Sequence, residues 1–180
     1  MLENTEASIN ILIIDDETLI LEIVREYLKE IPCSVYEAQT KEEAWSIFTK
    51  EKIDLVIADV RLSKKESGLD LAEDILKANY SIPIILLTGH DDKEIILQAL
   101  RIGVVDYLTK PMERTFFLAR VNEAILKRKV HLAQEKIIET LHELLHIPQE
   151  KMLFRMSIKE RIIYIQELVT IAAIKKERDW

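Results

Sequence analysis

The sequence predicts an α/β protein with a doubly wound parallel sheet, on two observations. Short apolar runs alternate with amphipathic stretches over residues 9–110, and runs such as ILII contain no polar residue, which is typical of strands buried on both faces. Alternating strands and helices of this kind place helices on both sides of a parallel sheet. We therefore expect a three-layer domain.

Individual elements can be assigned along this part of the chain. Helical patterns occupy residues 18–29, 41–51, 69–79 and 91–102. The segment TKEE, beginning at Thr40, is a capping box that opens the second helix, and a glycine follows the fourth helix, at position 103. The five predicted strands are INILII, CSVYEA, IDLVIA, IPIILLT and VVDYLT.

The β pattern stops at Glu113, and apolar residues then recur at helical spacing to about Ile147, where Pro148 ends or kinks the helix. A second capping box, SIKE, opens a further helix. We predict a first domain over 1–126 and a helical extension over 127–180 that folds back as a hairpin. The last helix carries an apolar stripe at coiled-coil spacing: Ile158, Ile162, Ile165, Val169 and Ala172.

Composition restricts the function further. The 48% hydrophobic content of the 180 residues can fill a core, and the single cysteine, Cys33, allows no intrachain disulfide, which indicates a reducing, cytoplasmic location. No signal peptide or membrane span is predicted. Residues 1–126 carry 14 basic and 24 acidic side chains, and residues 127–180 carry 11 and 8. The first part is too acidic, and the second too weakly basic, to favour nucleic acid binding.

Functional side chains follow the predicted strands at their carboxyl ends. The first strand ends at Asp15 and Asp16, the third at Asp59, the fourth at Thr88 and the fifth at Lys110. These ends meet at one edge of a parallel sheet, where ligands bind in open α/β folds. Three carboxylates, a hydroxyl and an ammonium are therefore expected to converge.

Three carboxylates in one pocket need positive charge, because like charges raise one another's pKa. Lys110 supplies one charge, and Mg²⁺, which prefers oxygen ligands, can supply the rest. Such a site suits a phosphoryl group, with one carboxylate as the nucleophile. Asp16 by itself could also be a helix N-cap, and each of the other residues by itself could be an ordinary turn or surface residue.

This set of residues resembles the CheY-like receiver domain of two-component response regulators over about residues 7–126. The resemblance implies a flavodoxin-like fold with strand order 2-1-3-4-5 and a phosphoryl group accepted by Asp59 from a histidine kinase or phosphotransfer protein. It implies that Asp16, Asp59 and the Arg61 carbonyl ligate Mg²⁺, and that Asp15 acts largely through water. Thr88 and Lys110 would hold the phosphate.

Further positions match the family less completely. Tyr107 matches the aromatic switch that works with the threonine, and Pro111 matches a proline that follows a cis peptide bond. Arg61 and His90 lie where the family tunes hydrolysis of the acyl phosphate, although ordinary exposed loop side chains are an equal reading. The family usually has proline in place of Ser63, and Gly68 falls one residue late, so the loop after the acceptor is one residue longer.

The helical extension allows several readings. His142 with Glu143, followed by Pro148, resembles the phosphoacceptor box of histidine kinases, but the proline is one residue late. A dimerising hairpin is the preferred reading, a phosphorelay histidine the second, and a helix-turn-helix output the least favoured.

Taken together, the sequence predicts a phosphorylation-switched response regulator that has no enzymatic activity beyond self-phosphorylation and self-dephosphorylation. We expect it to form a homodimer through residues 118–175. The alternative is a constitutive dimeric scaffold whose pocket only binds metal.

Overall fold

The computed structural model describes residues 9–62, 67–89, 93–146 and 156–178. Five strands and five helices alternate along the described chain, and a sixth helix follows them. The strands are β1 (Ile9–Ile14), β2 (Cys33–Ala38), β3 (Leu55–Asp59), β4 (Ile84–Thr88) and β5 (Asp106–Thr109). The helices are α1 (Thr18–Leu28), α2 (Lys41–Lys50), α3 (Gly68–Ala78), α4 (Lys93–Ile102), α5 (Arg114–Leu145) and α6 (Ile158–Arg178).

The strands form one parallel sheet in the order β2-β1-β3-β4-β5. The predicted fold class and strand order are confirmed. The register brings the carboxyl ends together, because Asp59 pairs with Leu87 on β4 and Thr88 pairs with Thr109 on β5. Residues at these strand ends therefore share one edge of the sheet.

Two apolar clusters cover the two faces of the sheet. Helices α2, α3 and α4 contribute to one cluster, and helices α1 and α5 contribute to the other. Successive residues of β1 alternate between them: Leu12 and Ile14 pack into the first cluster, and Ile11 and Ile13 into the second. Burial on both faces explains why this strand has no polar residue between Ile11 and Ile14.

The predicted helix ends are found in the structure. The Thr40 hydroxyl accepts a hydrogen bond from the Glu43 amide at 3.1 Å, and the Glu43 carboxylate accepts one from the Gln39 amide. Gly103 follows α4 with φ of +94°, a conformation that favours glycine. At the start of α6, the Ser157 hydroxyl accepts a hydrogen bond from the Glu160 amide, and the Ser157 amide donates one to the Glu160 carboxylate. The N-cap of α1 is Glu17, so the reading of Asp16 as an N-cap is wrong.

The chain divides into two compact units, residues 1–128 and 129–180, and α5 crosses from one to the other as a continuous helix. The division of the chain into domains at 126 stays a prediction. In the described part of the chain, no helix is both long enough and apolar enough to cross a membrane.

The second unit contains residues 129–145 of α5 together with α6. Its buried residues include Arg161 and Leu168, which lie one residue before positions of the predicted stripe. In the stripe itself, Ile158, Ile162 and Val169 are exposed, so it is not covered within the described part of one chain. Ile147 and Pro148, where we expected α5 to end, lie outside the described residues.

Candidate functional site

Two carboxylates and one ammonium form an ion cluster at the carboxyl edge of the sheet. Lys110 Nζ lies 2.5 Å from Asp15 Oδ2 and 2.8 Å from Asp59 Oδ1. All three side chains are largely buried, and Asp15 Oδ1 also accepts a hydrogen bond from the Glu17 amide at 3.0 Å. The peptide between Lys110 and Pro111 is cis, as the resemblance implied. Lys110 follows β5, and its side chain reaches past β4 to acids at the carboxyl ends of β3 and β1. The lysine therefore joins acids from two different strands.

Burial and pairing act in opposite directions on the pKa values of this cluster. Burial raises the pKa of Asp15, and the hydrogen bond from Lys110 only partly opposes that effect. Burial by itself would lower the pKa of Lys110, but its hydrogen bonds with Asp15 and Asp59 are together stronger, and the pKa is raised. Lys110 is therefore a permanently charged group at neutral pH.

The backbone around Asp59 holds its carboxylate in place. Asp59 Oδ2 accepts a hydrogen bond from the Arg61 amide at 2.8 Å, while Oδ1 contacts Lys110. Helix α3 begins directly against this residue, since a Cβ on Gly68 would lie 1.8 Å from the Asp59 carbonyl oxygen. The late glycine noted in the sequence thus allows the helix to approach the strand end, a role that the sequence did not reveal.

A cavity of about 350 Å³ opens beside the cluster. It is large enough for a phosphoryl group, and its walls carry acidic, basic and hydroxyl side chains. The lining residues are Asp16, Glu17, Asp59, Val60, Arg61, Thr88, Gly89 and Lys110. Sequence reasoning missed Glu17, although its position directly after two adjacent acids was a usable signal. Asp15 is not in the lining, so it contributes to the cavity through Lys110.

The donors of this cavity fit Mg²⁺. The carboxylates of Asp16 and Asp59 line the same cavity as Arg61, so hard oxygen ligands are available from three residues. No cluster of three or more acidic, histidine or cysteine side chains is arranged to hold a metal within the described ranges. Mg²⁺ usually binds one or two carboxylates and keeps several waters. The donor set therefore fits a partly hydrated ion.

Of the other predicted site residues, Tyr107 lies outside the cavity lining. Tyr107 pairs with Leu86 in the sheet and packs against the apolar cluster under α4, two residues before the position opposite Thr88. The threonine and the tyrosine are therefore on neighbouring strands, but only Thr88 lines the cavity. His90 and Ser63 lie outside the described residues.

His142 is distant in sequence and belongs to the second unit. Its side chain is 2% exposed, and its Nε2 atom lies 2.8 Å from the Tyr164 hydroxyl. A phosphoryl donor needs access to a ring nitrogen, and the described conformation covers this ring. The reading of His142 as a phosphorelay residue stays a prediction, and it would require the ring to become accessible.

The carboxyl edge of this doubly wound sheet thus combines a buried lysine, the two aspartates that it contacts and a cavity with charged walls. The sequence model of the response regulator receiver domain matches residues 11–122. This chain belongs to that family, and the resemblance inferred from the strand-end residues is confirmed.

Similar proteins agree with this assignment. Transcriptional regulatory protein RprY of Bacteroides fragilis is 37% identical over 123 residues, covering 68% of this chain and 51% of that protein. Regulatory protein VanR of Enterococcus faecium is 38% identical over 119 residues, covering 66% and 51%. The chain thus matches about half the length of these relatives.

Solved structures show the same fold. The response regulator receiver domain protein of Clostridium thermocellum has a TM-score of 0.63 at 34% identity, covering 68% of this chain and 98% of that one. A CheY-like receiver domain protein of Methanospirillum hungatei has a TM-score of 0.65 at 26% identity, with the same coverage. Like the relatives, these structures cover about two thirds of this chain.

Proposed function

We propose that this protein is a response regulator that accepts a phosphoryl group on Asp59 from a histidine kinase and signals through its C-terminal helices. The observation that carries the proposal is the position of Lys110, which contacts Asp59 at 2.8 Å on the wall of a cavity of phosphoryl size. A lysine held there by a second acid can neutralise phosphoryl oxygens as charge develops on them.

The proposed chemistry is a transfer between two nucleophiles. A carboxylate oxygen of Asp59 attacks phosphorus and forms an O–P bond, while the P–N bond of the donor phosphohistidine breaks and its electron pair returns to the imidazole. Asp59 then no longer carries its full charge. Lys110 consequently follows the charge to the phosphoryl oxygens, and Thr88, which lines the same cavity, donates a hydrogen bond to them. Mg²⁺, held by Asp16, Asp59 and the Arg61 carbonyl, would neutralise further phosphoryl charge.

The transfer can be tested with a small phosphodonor and Mg²⁺. We expect one acid-stable, base-labile phosphoryl group per chain, measured by mass spectrometry, and none in Asp59→Asn. Asp70→Asn is the matched control, because Asp70 is an exposed acid on α3 outside the cavity. Phosphate that persists in Asp59→Asn would overturn the proposed acceptor.

A switch requires two states that make different contacts with the phosphoryl group. We propose that Thr88 and Tyr107 differ between these states, because they lie on neighbouring strands that end at the cavity. With beryllofluoride as the phosphoryl mimic, amide exchange over residues 88–112 should change. Identical exchange patterns with and without the mimic would favour the alternative, a scaffold that only binds metal.

We also propose a homodimer through residues 118–175. On α5, the exposed residues Val130, Ile137 and Leu144 recur every seven positions, as coiled-coil residues do. On α6, Ile162 and Val169 repeat the same spacing and are also exposed. A pair of helices alone has too little core to be stable, and pairing with a second copy would cover these stripes.

Dimerisation can be tested at the stripe of α6. We expect Ile165→Glu to give monomers, measured by sedimentation, that still accept a phosphoryl group. Because Ile165 is half-buried, the exposed Ile162→Glu is the cleaner variant, and Lys159→Glu on the same helix is the control. If both isoleucine variants remain dimers, the interface lies elsewhere, and the face formed by α4, β5 and α5 becomes the next candidate.

A further inference from the structure

One charged residue occupies a position on α5 where the helix faces the sheet. Phe117, Val121, Ala124 and Ile125 are buried on this face, and Arg128 takes the next place three residues further on. Its side chain is 5% exposed. A guanidinium buried to this extent needs specific partners, because removing it from water is costly.

The partners of Arg128 come from the amino edge of the sheet. Its Nη1 atom donates to the Ser81 hydroxyl at 2.5 Å, and its Nε atom lies 3.8 Å from Asp54 Oδ1. Asp54 directly precedes β3, and Ser81 lies just before β4. Arg128 therefore contacts the end of the sheet that is opposite to the cavity.

These partners are themselves held by the body of the receiver. Asp54 Oδ2 accepts a hydrogen bond from the Asn10 amide at 3.1 Å, and the Asp54 amide donates to the Asn10 carbonyl at 2.8 Å. The Ser81 hydroxyl donates to Asn79 Oδ1 at 2.8 Å. The guanidinium thus contacts two side chains that are themselves hydrogen-bonded to β1 and to the residue that caps α3.

We propose that Arg128 is a positioning residue that anchors α5 to the amino edge of the sheet at the last turn before the helix enters the second unit. A helical turn with few packed side chains opens locally more readily than a turn that tertiary contacts hold. With the anchor, the turn at Arg128 stays packed on the receiver, and a displacement of α5 reaches residues 129–145 through a rigid helix. Without it, the last packed residue is Ile125, and the following turn absorbs the displacement by local opening.

The first test measures the anchor alone, in the full chain without phosphodonor. Arg128→Met keeps most of the buried volume but removes the donors, and Ser81→Ala removes one acceptor. We expect amide exchange over residues 122–132 to be about tenfold faster in Arg128→Met, with a smaller change in Ser81→Ala. Lys127→Met is the matched control, because Lys127 is exposed and paired only with Glu123 in the described structure. Arg128→Lys should restore part of the protection.

The second test asks whether a change at the phosphorylation site reaches residues 129–145 of α5, and it rests on the proposed function. With beryllofluoride bound, wild-type exchange over residues 129–145 should change, and Arg128→Met should lose at least about half of that change while Asp59 still accepts a phosphoryl group. If amides in Arg128→Met exchange at the wild-type rates, both with and without the mimic, the proposal that Arg128 anchors α5 is wrong. If the wild type accepts no phosphoryl group, the proposed function fails instead, and exchange over 122–132 in Arg128→Met and Ser81→Ala still decides whether the anchor exists.

Discussion

Each of the two compact units of this protein buries a different mixture of residues in its own interior. In the first unit, every residue of β3 is buried, and two apolar clusters cover both faces of the sheet. In the second unit, the buried residues include the apolar Ile138, Leu145 and Leu168. Four polar or charged residues are buried beside them: His131, Gln134, His142 and Arg161.

This difference in buried residues indicates that the two units have different structural roles. Apolar burial is non-directional and supplies most of the favourable free energy of folding, which suits a domain that must hold a buried cluster of charges at one edge. Buried polar contacts add little net stability but depend on geometry, so they favour one arrangement of two helices over others. We infer that the second unit needs a partner for stability, while its polar contacts specify how its helices meet.

Truncating a core side chain in the first unit should give the largest change in the free energy of unfolding and should separate the two units most clearly. Ile57 in β3 is 1% exposed, and Ile57→Ala should lower the free energy of unfolding by about 3 kcal/mol through lost burial and a residual cavity. Urea denaturation followed by circular dichroism measures this change. The midpoint of the main transition should fall.

Leu168→Ala is the matched truncation in α6, where Leu168 is also buried. We expect it to leave the main transition unchanged and to increase amide exchange only over residues 129–178. If both variants shift one shared transition equally, the two units unfold together, and the prediction of separate domains is wrong.

Replacing Asp15 should change the free energy of unfolding by a smaller amount and should raise it. Burial raises its pKa above the ordinary value of 3.8, so between these two pKa values the folded protein keeps a proton that the unfolded chain has lost. Stability therefore falls as pH rises through that window. At pH 7, Asp15→Asn should raise the free energy of unfolding by about 1 kcal/mol, because the remaining bond to Lys110 limits the gain.

Urea unfolding of the wild type and of Asp15→Asn at pH 4 and pH 7 checks the sign. The variant should be the more stable protein at pH 7, and the difference should shrink at pH 4. A wild type that is more stable than the variant at pH 7 would mean that the ion pair with Lys110 outweighs the cost of burying the carboxylate.

The most local effect is expected in the second unit. Tyr164→Phe removes the hydroxyl that lies 2.8 Å from His142 Nε2, which should cost about 1 kcal/mol of local stability and increase exchange around both residues. Tyr36→Phe is the control, because its hydroxyl contacts Glu51 at the exposed surface, and it should change little. Unchanged exchange in Tyr164→Phe would show that this contact does not specify the helix arrangement.

Much of the receiver could be predicted from the sequence because its signals are local. The β1 and β2 bounds agree with the predicted strands, and α2, α3 and α4 begin or end within two residues of expectation. The strand-end acids and Lys110 could be placed at one edge because parallel strands share a direction. The predicted third, fourth and fifth strands began too early, since apolar residues before a strand look like part of it.

The buried charges could not be predicted in the same way. Arg128 and Arg161 are arginines on helices, which are exposed in most proteins. Arg128 does continue the apolar spacing of α5, but the spacing does not show which polar partners would compensate a buried guanidinium. His142 was read as a candidate phosphoacceptor from the residues beside it, whereas its contact is with Tyr164, 22 positions away. Gly68 was noted only as displaced, and the approach of α3 to Asp59 explains why a glycine is needed there.

The sequence by itself determined the order of strands and helices and the set of residues at the carboxyl edge, because hydrophobic period and strand direction are properties of neighbouring residues. Tertiary structure alone decided that Lys110 joins Asp15 to Asp59, that Glu17 lines the cavity and that Arg128 bonds to Ser81 and lies close to Asp54. These contacts link residues far apart in the chain, and their distances depend on how each element packs against the sheet.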